Sequence, residues 1–217
     1  ELFRKSGEKD YFSFVNSLYL RLTKWIVRYS WLIVFLTAAS PVFDESFFPE
    51  EKEKHLGRYA SARCSEIGYN NPFIPLIDYT NLETYIKSIE GYVDRKEIIV
   101  ESELYYPVRL KSAGANSLIT LGETGVNHIE LRMLDLNPLS ETGIFEEDIA
   151  FIHLLLIYLS NQQDFVFTNE MQTEAVKKMY RAALYDNEEF ADEAATIIDK
   201  IKNYFKPDMQ DLLNQLA

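Results

Sequence analysis

The 217-residue sequence holds a single cysteine, Cys64, so no disulfide can form within it, and a reducing cytoplasm is its natural setting. A lone thiol beside Arg63 is either an activated nucleophile or a buried, inert group, and the inert group is the commoner case. Histidine is scarce too. His55, His128 and His153 lack zinc-ligand spacing and have no partner cysteines, which argues against a structural zinc site. Among the glycines, those at 114, 122 and 125 form neither a GxxxxGK[ST] phosphate loop nor a GxGxxG fingerprint. Positive charge is in short supply: 22 Lys and Arg stand against 34 Asp and Glu, a net of −12. Residues 141–217 alone carry 15 acidic and 6 basic side chains, so the acidity belongs mainly to the C-terminal third. Such a surface argues against nucleic acid as a partner but says nothing about small anions, which see only a local pocket. Long apolar runs are missing as well. WLIVFLTAA, preceded by Arg28, is far shorter than the roughly 20 residues that span a bilayer, so no membrane partner is expected. The opening ELFRKSGEKD has no signal-peptide layout and, lacking Met, reads as a chain entered partway.

What is present suffices for a core. Hydrophobic residues make up 47% and aromatics 14%, which excludes global disorder and allows one sizeable domain or two small ones. Phe14, Leu18, Leu22, Trp25, Ile26, Tyr29, Leu32, Ile33 and Leu36 recur at helical spacing, which predicts an amphipathic helix over 11–39, ended by Pro41. A charged, aromatic connection over 43–55, with Phe47 and Phe48 tucked beneath it, leads to RYASARCSEIGYNN, an extended run between turns. A helix over 81–93 has Asn81 as its N-cap and Gly91 near its stop. Strands are expected over 97–101 and 103–111. In the second, parity puts Tyr105, Pro107, Arg109 and Lys111 on one face and Leu104, Tyr106, Val108 and Leu110 on the other. Pro107 makes this strand an edge or a bulge. Helices follow over 146–160, with Ile149, Ile152, Leu155, Leu156 and Leu159 as the buried face, then over 168–184 and 187–204, with a short one after Pro207. The acids Glu188, Glu189, Asp192 and Glu193 read as a solvated face near a helix start rather than as metal ligands.

The stretch VNHIELRMLDLNPLSETGI, residues 126–144, carries the chemistry. Alternation places Ile129, Leu131 and Met133 on one face of a strand, and His128, Glu130 and Arg132 on the other. Glu130 and Arg132 emerge on one surface with Cα atoms roughly 6 to 7 Å apart. A carboxylate and a guanidinium so placed can divide a metal–phosphate complex, the carboxylate taking the cation and the arginine the phosphoryl oxygens. The same pattern also occurs on solvated strand faces, where it serves only a cross-strand ion pair.

Three motifs in order, RYASARCSEIGYNN, ELYYPVRLKSAGANSL and HIELRMLDLNPLSETGI, resemble the C-terminal half of bacterial glutamate-cysteine ligases. The likeness is strongest to the type fused to a glutathione synthetase, and it runs from about Tyr11 to about Ser160. This resemblance implies an α+β fold: antiparallel strands of a glutamine-synthetase-like ligase sheet packed with helices, followed by a helical C-terminal region. Residues 1–160 would be the C-terminal part of the catalytic domain and 161–217 an acidic helical extension packed on it. It implies ATP and Mg2+ as cofactors and glutamate and cysteine as substrates, joined through γ-glutamyl phosphate in the first step of glutathione biosynthesis. By the same likeness Glu130 is a magnesium ligand, and Arg132 binds ATP and acts on the transferring phosphoryl group. Arg63, Tyr69 and Tyr105 belong to the cysteine pocket, Arg63 pairing with a substrate carboxylate. Arg109 and Lys111 share the motif and the charge without an assigned role. Several metal-binding carboxylates of the family lie in its N-terminal half, so the chain is expected to be a partial ligase, inactive or nearly so alone. A non-catalytic module derived from such a ligase, or a related ligase with another acceptor amino acid, are the alternatives. A fused glutathione synthetase domain in the full-length protein stays open.

Overall fold

The structure, a computed structural model, describes residues 2–41 and 57–205, with side chains from Phe12 onward. The expected loop over 43–55, with Phe47 and Phe48, and the helix after Pro207 lie outside the described residues. The chain divides into two compact units, each discontinuous in sequence. Unit 1 comprises Glu1–Arg28, Asn70–Arg132 and Gln163–Thr173; unit 2 comprises Tyr29–Tyr69, Met133–Gln162 and Glu174–Ala217. Helix α1, Leu2–Thr37, contributes to both. Among the described residues no helix is long and apolar enough to cross a membrane.

In unit 1, α1 presents Leu20, Ile26 and Val27 to the core. Phe14 and Leu18, expected on the buried face, are instead exposed, at 67% and 36%. Periodicity identifies the apolar stripe but not how far along the helix anything packs against it. Helix α2, Leu82–Asp94, starts as its sequence dictates: the Asn81 side chain accepts from the Thr84 N–H at 3.0 Å, and the Thr84 hydroxyl accepts from the Asn81 N–H at 3.2 Å. This reciprocal cap satisfies two donors that a helix start would otherwise leave orphaned. Its Tyr85, Ile89 and Tyr92 form the buried face.

The sheet of this unit is one antiparallel pair, β1 (Val108–Lys111) with β2 (His128–Leu131), in the register Arg109 opposite Glu130 and Lys111 opposite His128. A short helix α3, Leu118–Thr124, joins them. The parity expected for 103–111 holds for Leu104, Tyr106, Val108 and Leu110, all buried, but Pro107, expected on the other face, is buried as well. The strand expected over 97–101 does not form, and the one expected over 103–111 is confined to its last four residues. Residues 101–103 make a 3-10 turn instead. Side chains take the backbone groups that a ladder would have used. Glu103 accepts from the Ile99 N–H, and Asn71 accepts from the Tyr105 N–H at 2.8 Å while donating to the Glu103 carbonyl at 2.9 Å. Pro107 has no N–H to offer a ladder. Gln172 plays the same part deeper in the unit. Only 1% exposed, it exchanges two 2.9 Å hydrogen bonds with the backbone of Ile77, donates to the Phe167 carbonyl and accepts from the Tyr106 hydroxyl. A buried amide that satisfies a backbone donor and acceptor this way replaces a missing strand partner.

In unit 2, α4 (Glu146–Ser160) packs with α6 (Ala191–Tyr204), and Tyr158 meets Tyr204 edge-on at 5.5 Å. Leu155, Leu159 and Ile201 are essentially unexposed, each contributing about 1.5–3 kcal/mol by burial. Ile149, expected on the buried face of α4, is 56% exposed, and Phe151 and Leu154 are buried instead. Helix α5, Asn169–Ala182, leads through a 3-10 turn, Glu188–Phe190, into α6. Trp31 of α1 lies 5.3 Å from Phe190, with the Lys178 ammonium 4.0 Å from the indole centroid.

The centre of this unit is Asp135, 6% exposed. One carboxylate oxygen accepts from the N–H groups of Ala39 and Ser40, at 3.0 and 3.1 Å, and the other accepts from the Ser61 hydroxyl at 3.0 Å. It thereby fixes the exit of α1, the segment after β2 and the Ser61 turn, where Ala62 also donates to Ser40. Asp135→Ala would leave those donors unpaired inside the protein and is expected to lower unfolding free energy by about 2–5 kcal/mol, whereas Ser61→Ala costs about 1 kcal/mol, both read from urea denaturation.

Cys64 is buried, donating to the Met133 carbonyl at 3.2 Å, and its thiol is pushed up to about 12, chiefly by burial and then by the Asp135 charge. The inert reading of this residue therefore holds. A thiol reagent at pH 8 is expected to modify native protein only at the rate of unfolding. Because the folded-state value is raised, Cys64 favours the native state fully below the unfolded value near 9, and that contribution is lost as pH rises above it.

Candidate functional site

Pairing of β1 with β2 gathers the charged side chains of unit 1 onto one face. Glu130 stands opposite Arg109, and its carboxylate oxygen Oε2 is 3.1 Å from the Lys111 ammonium. That oxygen is itself buried and receives no aligned hydrogen bond. Burial works against ionisation of Glu130, but Lys111, Arg132 and Arg109 outweigh it and hold the carboxyl below its ordinary range. Arg132, just past β2, donates to the Leu104 carbonyl at 3.1 Å and lies over the Tyr105 ring at 5.7 Å, within cation–π range. Arg109 donates to the carbonyls of Ser102, at 2.8 Å, Glu101 and Leu104. Two guanidinium groups thus share the Leu104 carbonyl. Desolvation, followed by the Arg132 charge, lowers the Arg109 pKa from its ordinary value. Like charges held this close leave the face biased toward anions.

Of the residues singled out in the sequence, Glu130, Arg132 and Tyr105 come together on this face, joined by Arg109 and Lys111. Arg63 and Tyr69 belong to unit 2. Arg63 is exposed and donates to the Leu134 carbonyl at 2.8 Å, and Glu66 pairs with Arg58 at 3.3 Å. Tyr69 is 61% exposed, so it does not fill core. The turn that presents Arg63 needs a glycine, since a Cβ at Gly68 would fall 2.0 Å from the Arg63 carbonyl oxygen.

A divalent cation would find one hard oxygen donor here, Glu130, whose buried and unaligned Oε2 suits it. Among the described residues no group of three or more His, Cys, Asp or Glu could hold a metal by itself. One carboxylate completed by substrate phosphates is a common way to bind magnesium. The acids of 188–193 are solvated as expected, with Glu189 pairing with Arg181 at 3.0 Å and Glu193 pairing with Lys178.

Sequence reasoning passed over Asp135, although a signal was present. It shares the parity of Ile129, Leu131 and Met133, and a lone acid on an apolar face must find buried donors. Gln172 and Asn71 carried no comparable signal, because their partners lie far away in the chain.

A family model for glutamate-cysteine ligase matches residues 1–99 and 93–182, reaching past Ser160, where the resemblance in the motifs fades. The glutathione biosynthesis bifunctional protein GshAB of Clostridium perfringens is 35% identical over 194 residues, which is 85% of this chain and 25% of that protein. Its counterpart from Listeria innocua is 33% identical over 213 residues, 89% of this chain and 28% of that protein. The chain thus spans about a quarter of the length of the curated relatives it matches. Among solved structures, a bifunctional glutathione synthetase from Pasteurella multocida superposes with a TM-score of 0.69 at 26% identity, over 94% of this chain and 27% of that one. Glutamate–cysteine ligase from Francisella tularensis, in complex with AMP, gives 0.74 over 96% of this chain and 54% of that one, and at 17% identity it speaks for the fold alone. The motif-bearing strand pair, the mixed helical architecture around it and the match over residues 1–182 agree: the chain belongs to the glutamate-cysteine ligase family.

Proposed function

We infer that the chain is part of an ATP-dependent ligase that joins the γ-carboxylate of glutamate to the amine of cysteine. The observation that carries this reading is the β1–β2 face, where Glu130 and Arg132 of the family motif sit beside two further cations. Membership of the glutamate-cysteine ligase family supports a nucleotide as its occupant. In this reading β1 and β2 belong to the antiparallel sheet of a glutamine-synthetase-like fold. Residues 161–217 extend the catalytic part formed by 1–160, and the protein works in the cytoplasm. The bifunctional relatives support a glutathione synthetase activity in the same full-length protein.

The chemistry needs a leaving group. The γ-carboxylate of glutamate attacks the terminal phosphorus of ATP, and ADP departs. The cysteine amine then attacks the acyl carbon of γ-glutamyl phosphate, losing a proton and expelling phosphate to give γ-glutamylcysteine. Magnesium, when bound, neutralises the crowded phosphate oxygens. Glu130 would ligate it. Arg132 would offer its fork to the phosphoryl oxygens, with the Tyr105 ring and the Leu104 carbonyl fixing its plane. The family motifs imply roles toward cysteine for Tyr105 and, separately, for Arg63 and Tyr69, Arg63 by pairing with its carboxylate.

Cysteine-dependent ADP release is the assay. In the full-length ligase, Arg132→Ala is expected to lower kcat by about 10²- to 10³-fold, the cost of losing a preorganised donor. Glu130→Gln should raise the Mg2+ concentration needed for half-maximal rate. Unchanged ligation in both variants would favour a folded module without catalysis. Residues 1–217 alone should release ADP at well under a hundredth of the full-length rate, and equal rates would refute a divided site.

A further inference from the structure

Lys111 is given no role of its own in the reading above, yet its ammonium sits 3.1 Å from the Glu130 oxygen that a cation would take. Its side chain is only 13% exposed, and Nζ lies between two acceptors, Glu130 Oε2 at 3.1 Å and Asn116 Oδ1 at 2.7 Å. Behind it is a cavity of about 40 Å³ that Arg109, Lys111, Asn116 and Ser117 line together with Glu101, room for about one water. The face therefore carries three cations, Arg109, Lys111 and Arg132, against the single carboxylate of Glu130, with Glu101 at the cavity wall. His128, across the ladder from Lys111, is exposed and turned to Asn127.

We propose that Lys111 is a positioning residue that occupies Glu130 until a divalent cation arrives with its phosphate, and then withdraws onto Asn116. This rests on Glu130 being the metal ligand. A bare cation entering such a face meets net positive charge and a carboxylate already paired. The same cation bound to a triphosphate brings negative charge that Arg109, Arg132 and the displaced ammonium all favour. Lys111 thus couples metal binding to nucleotide binding: it weakens the first event and leaves the joint event favourable. Asn116 makes the exchange possible, since a buried ammonium without an acceptor would resist leaving its carboxylate.

The test uses Mn2+ as the probe, titrated into the full-length ligase with and without a non-hydrolysable ATP analogue, with free Mn2+ followed by EPR. Lys111→Met is expected to tighten Mn2+ binding in the absence of nucleotide by about five- to tenfold, within the usual span of coupling between sites, and to change binding in its presence by less than about twofold. Lys111→Arg, which keeps the charge, should behave as the parent. Nucleotide-free affinity that is unchanged or weaker in Lys111→Met overturns the proposal. Should that variant fail to fold, Asn116→Ala reads the same balance from the other side: nucleotide-free Mn2+ binding about threefold weaker is expected, and no change overturns it. Glu130→Gln separates the two layers. Unaltered Mn2+ binding in that variant removes the metal-ligand reading itself, whereas lost Mn2+ binding there with an inert Lys111→Met removes only the role of Lys111.

Discussion

Four residue pairs of antiparallel ladder set the arrangement of charge at the candidate site. The register that places Arg109 opposite Glu130 is the constraint from which the rest of the charged face follows. A slip of β2 by one residue would send Glu130 to the apolar side, and a slip of β1 would send Val108 and Leu110 to solvent. The register is held from both faces. Val108 and Leu110 are buried beneath it, and the Tyr85 hydroxyl accepts from the Leu110 N–H. Above it, Lys111 and Glu130 pair across the strands.

The ladder is short because side chains do much of the work that longer strands would do elsewhere. Asn71, Glu103 and Gln172 in unit 1 each hold backbone groups of a segment distant or turned away from them. Asp135 does so in unit 2, with three donors on one carboxylate. Buried polar groups that are fully paired specify one arrangement, because every alternative leaves a donor or acceptor without water or partner. The two arginines over the Leu104 carbonyl are the counterpart at the site. They are held close despite mutual repulsion, and the local 101–104 turn is shaped to accept them.

The helices were largely legible. Asn81 announces the cap of α2, and the acids Glu146 and Glu147 mark the start of α4. The parity of 104–110 and of 128–133 gave the faces of both strands, and with them the shared surface of Glu130 and Arg132. The strand expected over 97–101 failed because local propensity does not register that Glu103 will fold back on Ile99. The exposure of Phe14 and Ile149 was hidden for a related reason: a helical stripe says which side is apolar, not which part of it finds a neighbour.

By itself, then, the sequence determined what depends on neighbours in the chain: helix periods and caps, strand parity, and three family motifs in order. Tertiary structure alone decided which distant groups meet. The pairing of Lys111 with Glu130, the convergence of Ala39, Ser40 and Ser61 on Asp135, and the grip of Gln172 on Ile77 join segments up to 96 residues apart. No periodicity encodes such contacts, since hydrogen bonds and ion pairs are won by whichever acceptor the folded backbone brings within about 3 Å.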